Sequence, residues 1–452
     1  MPKPRSRTPL RVAAILLAIS AGAAYAQEAV SREDYDKLKK EVEQMRQELA
    51  EIKKAKAAPA ASDEVAALRK EVADLRKSKE EQQKEDDEAH EELFKAVKEI
   101  QAKANANAAA GTKFLITGDA AIGFTGQRGT DSTFSAGVAP RFLWLIGDNL
   151  EFDAGFDINI GRDDGGSNQT TFDLTIASAS YIVNDYLVVG GGLFVVPFAA
   201  YHRDFDPPWI NKLPDDPLVF SDGGLAPGSA LGVFVSGTIP VGPTRVNYSV
   251  YAINGPELNT TDGSLGFDNF TDQNNNKAIG GRIGWVPIPQ MEVGYSIMCG
   301  RASPDTFAST NALLQAVDFN YTRDVDWLMG NVSLRAEWVF SHVDRADYGT
   351  PDAPLTFRND RNGGYVQASY RPSHVSNKYA RNLEFIFRYD RMDVPTEVSA
   401  LGPGLSGWEQ RYTYGVDYWL DARSVLKVAY ECDEKGNAPG ASQLMFQFGL
   451  GF

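Results

Sequence analysis

Hydrophobic residues occupy every second position in many segments after Thr112. One such segment alternates mostly polar residues with Val332, Leu334, Ala336, Trp338 and Phe340. The chain ends in the same way, with Leu444, Phe446, Phe448, Leu450 and Phe452. A period of two places alternate side chains on opposite faces of a β-strand. We therefore predict strands that have one apolar face and one polar face.

Sixteen segments show this alternation, and the connections between them alternate in length. The segments are about 114–125, 133–146, 150–161, 171–183, 186–196, 230–239, 244–253, 278–287, 290–301, 313–325, 328–343, 363–371, 380–391, 411–420, 424–432 and 442–452. Short connections such as GDN, PVGP and DARS alternate with longer loops rich in Gly, Asn, Asp and Pro. This alternation is typical of outer-membrane barrels, with short turns on the periplasmic side.

Strand length and aromatic placement distinguish a membrane barrel from a soluble β-sandwich, which also shows alternation. The segments have roughly the ten residues that a tilted strand needs to cross a bilayer. Aromatic residues near the strand ends resemble an interfacial girdle, and they include Trp144, Trp285, Tyr389, Tyr412, Tyr418 and Trp419. Because lipid offers no hydrogen-bond partner, a spanning sheet must close. For residues 112–452 we therefore predict an all-β transmembrane barrel of about 16 antiparallel strands around a water-filled interior.

The residues before the barrel follow a helical period instead. From Ser31 onward, steps of three and four separate Tyr35, Leu38, Val42, Met45, Leu49 and Ile52. Pro59 interrupts this run, and the same stepping restarts at Val65. The spacing predicts a periplasmic α-helical coiled coil and linker over residues 27–111, with a single charged helix in solvent as the alternative. The mixed apolar seam leaves the choice between a trimeric and another coil open.

Residues 1–26 have the composition of a secretory signal peptide. Basic residues precede a short apolar run from Val12 to Ile19, and the small-residue sequence AYA precedes Gln27. The alternative is an N-terminal anchor helix, for which the apolar run is short. We therefore predict localisation in the outer membrane of a bacterial cell, with the N-terminal coil in the periplasm.

Charge and residue chemistry argue against several functions. The formal net charge of −15 is unfavourable for a nucleic-acid partner. The two cysteines, Cys299 and Cys432, fall in the lipid-facing phase of non-adjacent strands, so we expect no disulfide between them. The four histidines, which lack catalytic or metal-binding spacing, are His90, His202, His342 and His374. We expect no enzyme activity, catalytic residue, metal site or cofactor.

Several stretches resemble the phosphate-selective porin O and P family. They are GGYVQASYRP, NLEFIFRYDRMD, YTYGVDYWLDARSVLKVAYE and LMFQFGLGF, with NGPELNTTDG and DQNNNKAIGGRIGWVPIP similar too, over about 245–452. The resemblance implies a homotrimer of sixteen-stranded channels, and related trimeric porins with an N-terminal coil take small anions such as dicarboxylates. Members that select phosphate carry a lysine-rich constriction. From Gly111 onward, however, only six of the 24 basic residues are lysines, against 39 acidic residues.

The third long loop, about 197–229, is the candidate constriction loop. A third loop folded into the lumen sets the constriction in general porins, and the apolar stretches FVVPF and PPWI favour that arrangement here. The alternative is a solvated external loop whose carboxylates bind lipopolysaccharide through divalent cations. Its candidate residues are His202, Arg203, Asp204, Asp206, Lys212, Asp215 and Asp216, with Asp222 as a further carboxylate.

Four arginines recur at similar heights in the lumen-facing phase of the strands. They are Arg141, Arg282, Arg335 and Arg388. Guanidinium groups suit carboxylate and phosphate contacts, so we predict a pore-lining basic ladder opposite the acidic loop. Such a ladder would create a transverse field that orients polar solutes. The alternative is that the arginines pair with neighbours such as Glu337 and Glu384.

The sequence as a whole predicts an outer-membrane porin for passive diffusion of small hydrophilic, charged solutes. The family resemblance favours anions such as phosphate or carboxylates, whereas the net charge favours a general cation-preferring pore. A further alternative is a structural anchor whose coil tethers the barrel toward the cell wall. The expected partners are further copies of the chain in a homotrimer, outer-membrane lipid, lipopolysaccharide, peptidoglycan and the solutes themselves.

Overall fold

The computed structural model describes residues 112–127, 132–162, 168–221, 223–267, 270–271, 275–302, 310–350, 353–402, 407–436 and 440–452. The predicted signal peptide and coiled coil lie outside these residues. The compact unit that contains the described strands is Gly111–Phe452. Within the described ranges no helix has both the length and the apolar character to cross a membrane.

Sixteen antiparallel strands form a closed barrel in which each strand pairs with the next along the chain. They are β1 (Thr112–Gln127), β2 (Thr133–Ile146), β3 (Leu150–Arg162), β4 (Asn168–Asn184), β5 (Leu187–Val195), β6 (Ser229–Val241), β7 (Thr244–Ile253), β10 (Ala278–Ile288), β11 (Met291–Arg301), β12 (Asn311–Val325), β13 (Gly330–Thr350), β14 (Ala353–Arg371), β15 (Leu383–Asp393), β16 (Trp408–Trp419), β17 (Ser424–Lys435) and β18 (Ser442–Gly451). The last strand, β18, pairs with β1 and closes the cylinder.

Among the described residues, two very short strands and four short helices lie between the barrel strands. A separate two-stranded sheet is formed by β8 (Glu257–Leu258) and β9 (Leu265–Gly266). One π-helix spans Tyr201–Phe205, and 3₁₀ helices span Asp326–Leu328, Ala380–Asn382 and Thr396–Ala400. The sheet and the π-helix lie in the loops that follow β7 and β5.

The predicted barrel of sixteen strands is confirmed, with differences at the strand ends. The largest concerns β13 and β14, predicted at 328–343 and 363–371, because the pair continues to Thr350 and Ala353 as a longer hairpin. The β8–β9 pair was not predicted, since two residues are too few to show a period.

The two faces of the barrel differ as the alternation predicts. On β10 and β11, Ile283 and Tyr295 are 53% and 39% exposed on the outer face, whereas Arg282 and Ser296 point inward and are buried. Apolar side chains therefore face outward, where a bilayer would contact them, and the inner face carries polar and charged groups.

The C-terminal residue completes the seam between β18 and β1. The amide of Phe452 donates to the carbonyl of Gly118 at 2.9 Å, and the Gly118 amide donates to the Phe452 carbonyl at 3.1 Å. The hydroxyl of Thr117 donates to the same Phe452 oxygen at 2.7 Å. A Cβ atom at Gly118 would lie 2.3 Å from the carbonyl oxygen of Ala139, so glycine allows this close approach. Phe452 is thus hydrogen-bonded into the barrel wall.

Replacing Thr117 by valine should weaken this seam, because the substitution removes the hydroxyl hydrogen bond and preserves side-chain shape. We expect the free energy of unfolding to fall by about 1 kcal/mol, the usual net value of one hydrogen bond. Reversible urea unfolding in lipid vesicles measures it. Thr125→Val is the control, since that hydroxyl makes no hydrogen bond with any described residue. An equal loss in both variants would contradict the assignment.

Candidate functional site

The loop between β5 and β6, residues 196–228, lies inside the barrel and contacts inward-facing side chains of distant strands. Its first part docks on β11 and β13. The Ala199 amide donates to Ser296 Oγ at 3.0 Å. The amides of Ala200 and Tyr201 donate to the carboxylate of Glu337 at 2.8 and 3.2 Å.

The second part of the loop docks on an ion cluster of β15. The Arg388 guanidinium pairs with Asp390 on its own strand and with Asp215 of the loop. It also donates to the carbonyl oxygens of Asp215 and Asp216 at 3.0 and 3.2 Å. The Leu218 amide donates to Asp390 at 3.1 Å. Arg388 and Asp390 are fully buried because the loop covers them.

Two lysines fix the middle of the loop. Lys212 pairs with the Glu384 carboxylate of β15, which also accepts a hydrogen bond from the Trp419 indole at 2.9 Å. Lys427 of β17 is 2% exposed and donates to the carbonyl oxygen of Asn211 at 2.6 Å and to Gln447 at 2.8 Å. The loop is thus held by groups on four or more strands of one side of the barrel.

Apolar contacts press the loop against the same side. Leu213 is fully buried against Ile386, Ala429 and Met445. The Trp209 indole lies against Gly451 of the last strand, where an added Cβ would come within 2.5 Å of the ring. The inward-facing glycines of the C-terminal strand therefore leave room for the loop.

An open cavity of about 820 Å³ remains on the other side, between the loop and β1–β4. The wall contributes Asp119, Arg141, Asp157 and Asn159, and the loop contributes residues between His202 and Ile210, with Asp216. The loop therefore fills one side of the barrel and leaves a water-accessible space along the other.

Carboxylates outnumber arginines in the lining of this cavity, and Asp206 has His202 as a basic neighbour at 3.9 Å. Asp119, Asp157 and Asp206 lie close enough to interact electrostatically, and neither Asp119 nor Asp157 forms an ion pair with a described residue. By contrast, the two arginines of the cavity have acidic partners, because Arg141 pairs with Asp153 and Arg203 with Asp204. The unbalanced charge is therefore negative.

Asp216 links the cavity lining to the buried side of the loop. Its carboxylate accepts a hydrogen bond from the Tyr201 hydroxyl at 2.7 Å. Burial, and then the nearby Asp206 carboxylate, raise the pKa of Asp216 to about 6. Burial and the Asp216 carboxylate also raise the pKa of Tyr201 well above its usual value, so the phenol stays a neutral donor.

The structure corrects the expected position of three of the four arginines. Arg282, Arg335 and Arg388 are at most 9% exposed and lie beneath the loop instead of lining the open space. As the alternative expectation held, they meet carboxylates: Arg282 pairs with Asp318 and Glu292, and Arg388 pairs with Asp215 and Asp390. Arg335 stacks on the Phe205 ring with its guanidinium carbon 3.9 Å from the ring centre, and its charge interacts with Glu384 and Glu337. Of these four arginines, Arg141 borders the cavity.

The candidate loop residues divide into two groups. His202, Arg203 and Asp206 border the cavity, whereas Lys212 and Asp215 hold the loop to the wall. The sequence interpretation missed Asp119 and Asp157 in the cavity and Lys427 at the docking surface, whereas Trp209 belongs to the PPWI stretch that already favours an inward loop. For the strand residues, the two-residue period indicates only that the side chain points inward. Every second residue of a strand does so, and the period therefore cannot single these residues out.

Arg388→Met should destabilise the protein because it leaves the buried carboxylates of Asp215 and Asp390 without their cation. We expect a loss of about 3–5 kcal/mol, typical of breaking a buried ion pair. Arg141→Met is the matched change at the cavity, where the side chain is 47% exposed, and should cost at most about 1 kcal/mol. Urea unfolding of both variants in vesicles provides the comparison, and losses of equal size would contradict the distinction.

Comparison with solved structures identifies barrels of the same fold. The high-pH structure of OprB from Pseudomonas putida has 13% identity and a TM-score of 0.53, covering 77% of this chain and 96% of that one. The outer membrane channel DcaP of Acinetobacter baumannii has 12% identity and a TM-score of 0.51, covering 76% and 98%. Salmonella typhi OmpF in complex with daunomycin has the same identity and TM-score, covering 76% and 99%. These likenesses show a shared fold.

A sequence comparison finds a family match for part of the barrel. A search of the curated proteins finds no match. Residues 261–432 match the family described as phosphate-selective porin O and P. The resemblance of the sequence to the phosphate-selective porin O and P family is thereby confirmed over those residues.

Proposed function

We propose that this protein is an outer-membrane porin through which small hydrophilic solutes diffuse passively, with a preference for cations. One observation carries the proposal: the open space beside the loop is lined by Asp119 and Asp157, which form no ion pair with a described residue, and by Asp206, whose basic neighbour is His202. Charged side chains that line a pore select ions of opposite sign.

The name of the matched family points to phosphate, but the lining charges favour the opposite sign. A phosphate path needs basic side chains directed at the solute. The basic residues of this cavity, Arg141 and Arg203, already contact carboxylates, and the other three candidate arginines are covered by the loop. An anion would therefore meet repulsion from unpaired carboxylates in the open space.

A channel explains the interior better than a structural anchor does. An anchor has no need for a cavity of about 820 Å³ with a charged lining, whereas diffusion requires one. The fold and the family match likewise favour a channel over an enzyme.

The remaining parts of the proposal concern assembly and location. We place residues 1–26 as a removed signal peptide and 27–111 as a periplasmic coil that joins three copies, because of its apolar seam. The barrel would contact lipid and lipopolysaccharide, and the coil would reach toward peptidoglycan.

Replacing Asp157 by asparagine should lower the cation preference, because the substitution removes one lining charge at nearly constant volume. With KCl gradients across a planar bilayer, we expect the reversal potential to move toward zero and the K⁺/Cl⁻ permeability ratio to fall about twofold. Asp148→Asn is the control, since it makes the same charge change in a short turn between β2 and β3. An anion-selective wild-type protein would refute the proposed preference.

The cation preference should also decrease with acidification through about pH 6. The pKa of Asp216 is raised to about 6, so this carboxylate is ionised above that pH and neutral below it. Protonation removes a negative charge from the cavity lining, and the reversal potential in a KCl gradient should shift accordingly. Asp216→Asn should reduce the step near pH 6. An unchanged step in that variant would assign the titration to another group.

A further inference from the structure

Glu337 makes three hydrogen bonds that hold the first part of the loop to the barrel wall. This β13 carboxylate is 2% exposed. One oxygen accepts the amides of Ala200 and Tyr201, and the other accepts the Tyr365 hydroxyl of β14 at 2.7 Å. The contact is therefore a three-donor clamp between the loop and two strands.

The clamp lies at the beginning of the π-helix Tyr201–Phe205, so it fixes which side chains of that helix face the open space. Tyr201 and Phe205 are buried toward the wall. His202 and Arg203, together with Asp206 directly after the helix, border the cavity. Rotation of this short helix would exchange these two sets of side chains.

Arg203 also contacts Glu292 of β11 at 3.8 Å, and Arg335 stacks on Phe205, whereas the remaining charged contacts hold later parts of the loop. Lys212, Asp215 and Leu218 dock on β15, and Asn211 docks on Lys427, all of them after residues 200–206. Before or within that segment, hydrogen bonds to the wall come from Ser296 and Glu337 among the described residues. Loss of Glu337 would leave two adjacent amides without an acceptor where the helix starts. This is unfavourable, because a buried donor without an acceptor destabilises the fold.

We propose that Glu337 is the positioning residue for selectivity: it orients residues 200–206 so that Asp206 joins Asp119 and Asp157 in the open space. This inference rests on the proposed channel function and adds a residue that does not touch the solute. Glu337 acts through the loop backbone, so its effect depends on hydrogen-bond acceptance and not on its charge in the pore.

Three variants test this role in planar bilayers with KCl gradients. Glu337→Ala removes the acceptor, and Glu337→Gln retains an amide oxygen for the two loop amides and an NH₂ group for the Tyr365 oxygen. Asp318→Asn is the matched control, because Asp318 is a buried carboxylate of β12 that pairs with Arg282 of the wall. Single-channel conductance and reversal potential are measured beside the unfolding midpoint of each variant.

We expect Glu337→Ala to broaden the single-channel conductance distribution and to lower the K⁺/Cl⁻ permeability ratio about twofold, because Asp206 loses its fixed position. Glu337→Gln should restore the wild-type ratio although it lacks the charge, and Asp318→Asn should leave the ratio unchanged. A purely structural role would change the unfolding midpoint of Glu337→Ala without moving its permeability ratio, and that result would overturn the inference.

Tyr365→Phe serves if Glu337→Ala does not assemble. It removes one donor from the clamp and should shift the ratio in the same direction by a smaller amount, whereas a wild-type ratio in this variant would also overturn the inference. Failure of the proposed function is a separate result, since it would appear as a wild-type protein that does not conduct or that prefers anions.

Discussion

The absence of water in the bilayer core is the constraint on which the whole structure depends. Each backbone amide and carbonyl there must find a partner in the protein, and a closed sheet supplies one for all of them. The seam between β1 and β18 meets this requirement down to Phe452, whose backbone bonds to Gly118. Closure then fixes the two faces: side chains that point outward must be apolar, and charges can point only inward.

A barrel of sixteen strands encloses more space than wall side chains can fill, and the loop after β5 divides that space. Charges on the inner wall consequently serve two purposes. Those on β13, β15 and β17, such as Glu337, Arg388 and Lys427, are covered and hold the loop. Those on β1 and β3, Asp119 and Asp157, remain beside open space. The position of the loop decides which charges a solute meets.

The sequence predicts the barrel well because a two-residue period reports a local property, the side of the strand on which a residue lies. It does not report what lies opposite that residue. Arg388 and Asp119 share the inward phase, yet one is covered by Asp215 of a loop far away in the chain and the other is not. Strand periodicity therefore carries no information about burial by a long-range contact. For this reason the sequence predicts an arginine ladder in open space, where the structure has covered arginines.

The same reasoning explains why neither a count of charges nor the name of a family is sufficient to assign selectivity. A basic residue attracts an anion only if its charge is not already neutralised and if solute can approach it. Arg282 meets neither condition, since two carboxylates contact it and the loop segment around Arg203 lies above Glu292. A solute meets the charge that remains after internal pairing, and along β1–β4 this remaining charge is negative. Selectivity can therefore diverge within one fold through changes in which wall charges the loop covers.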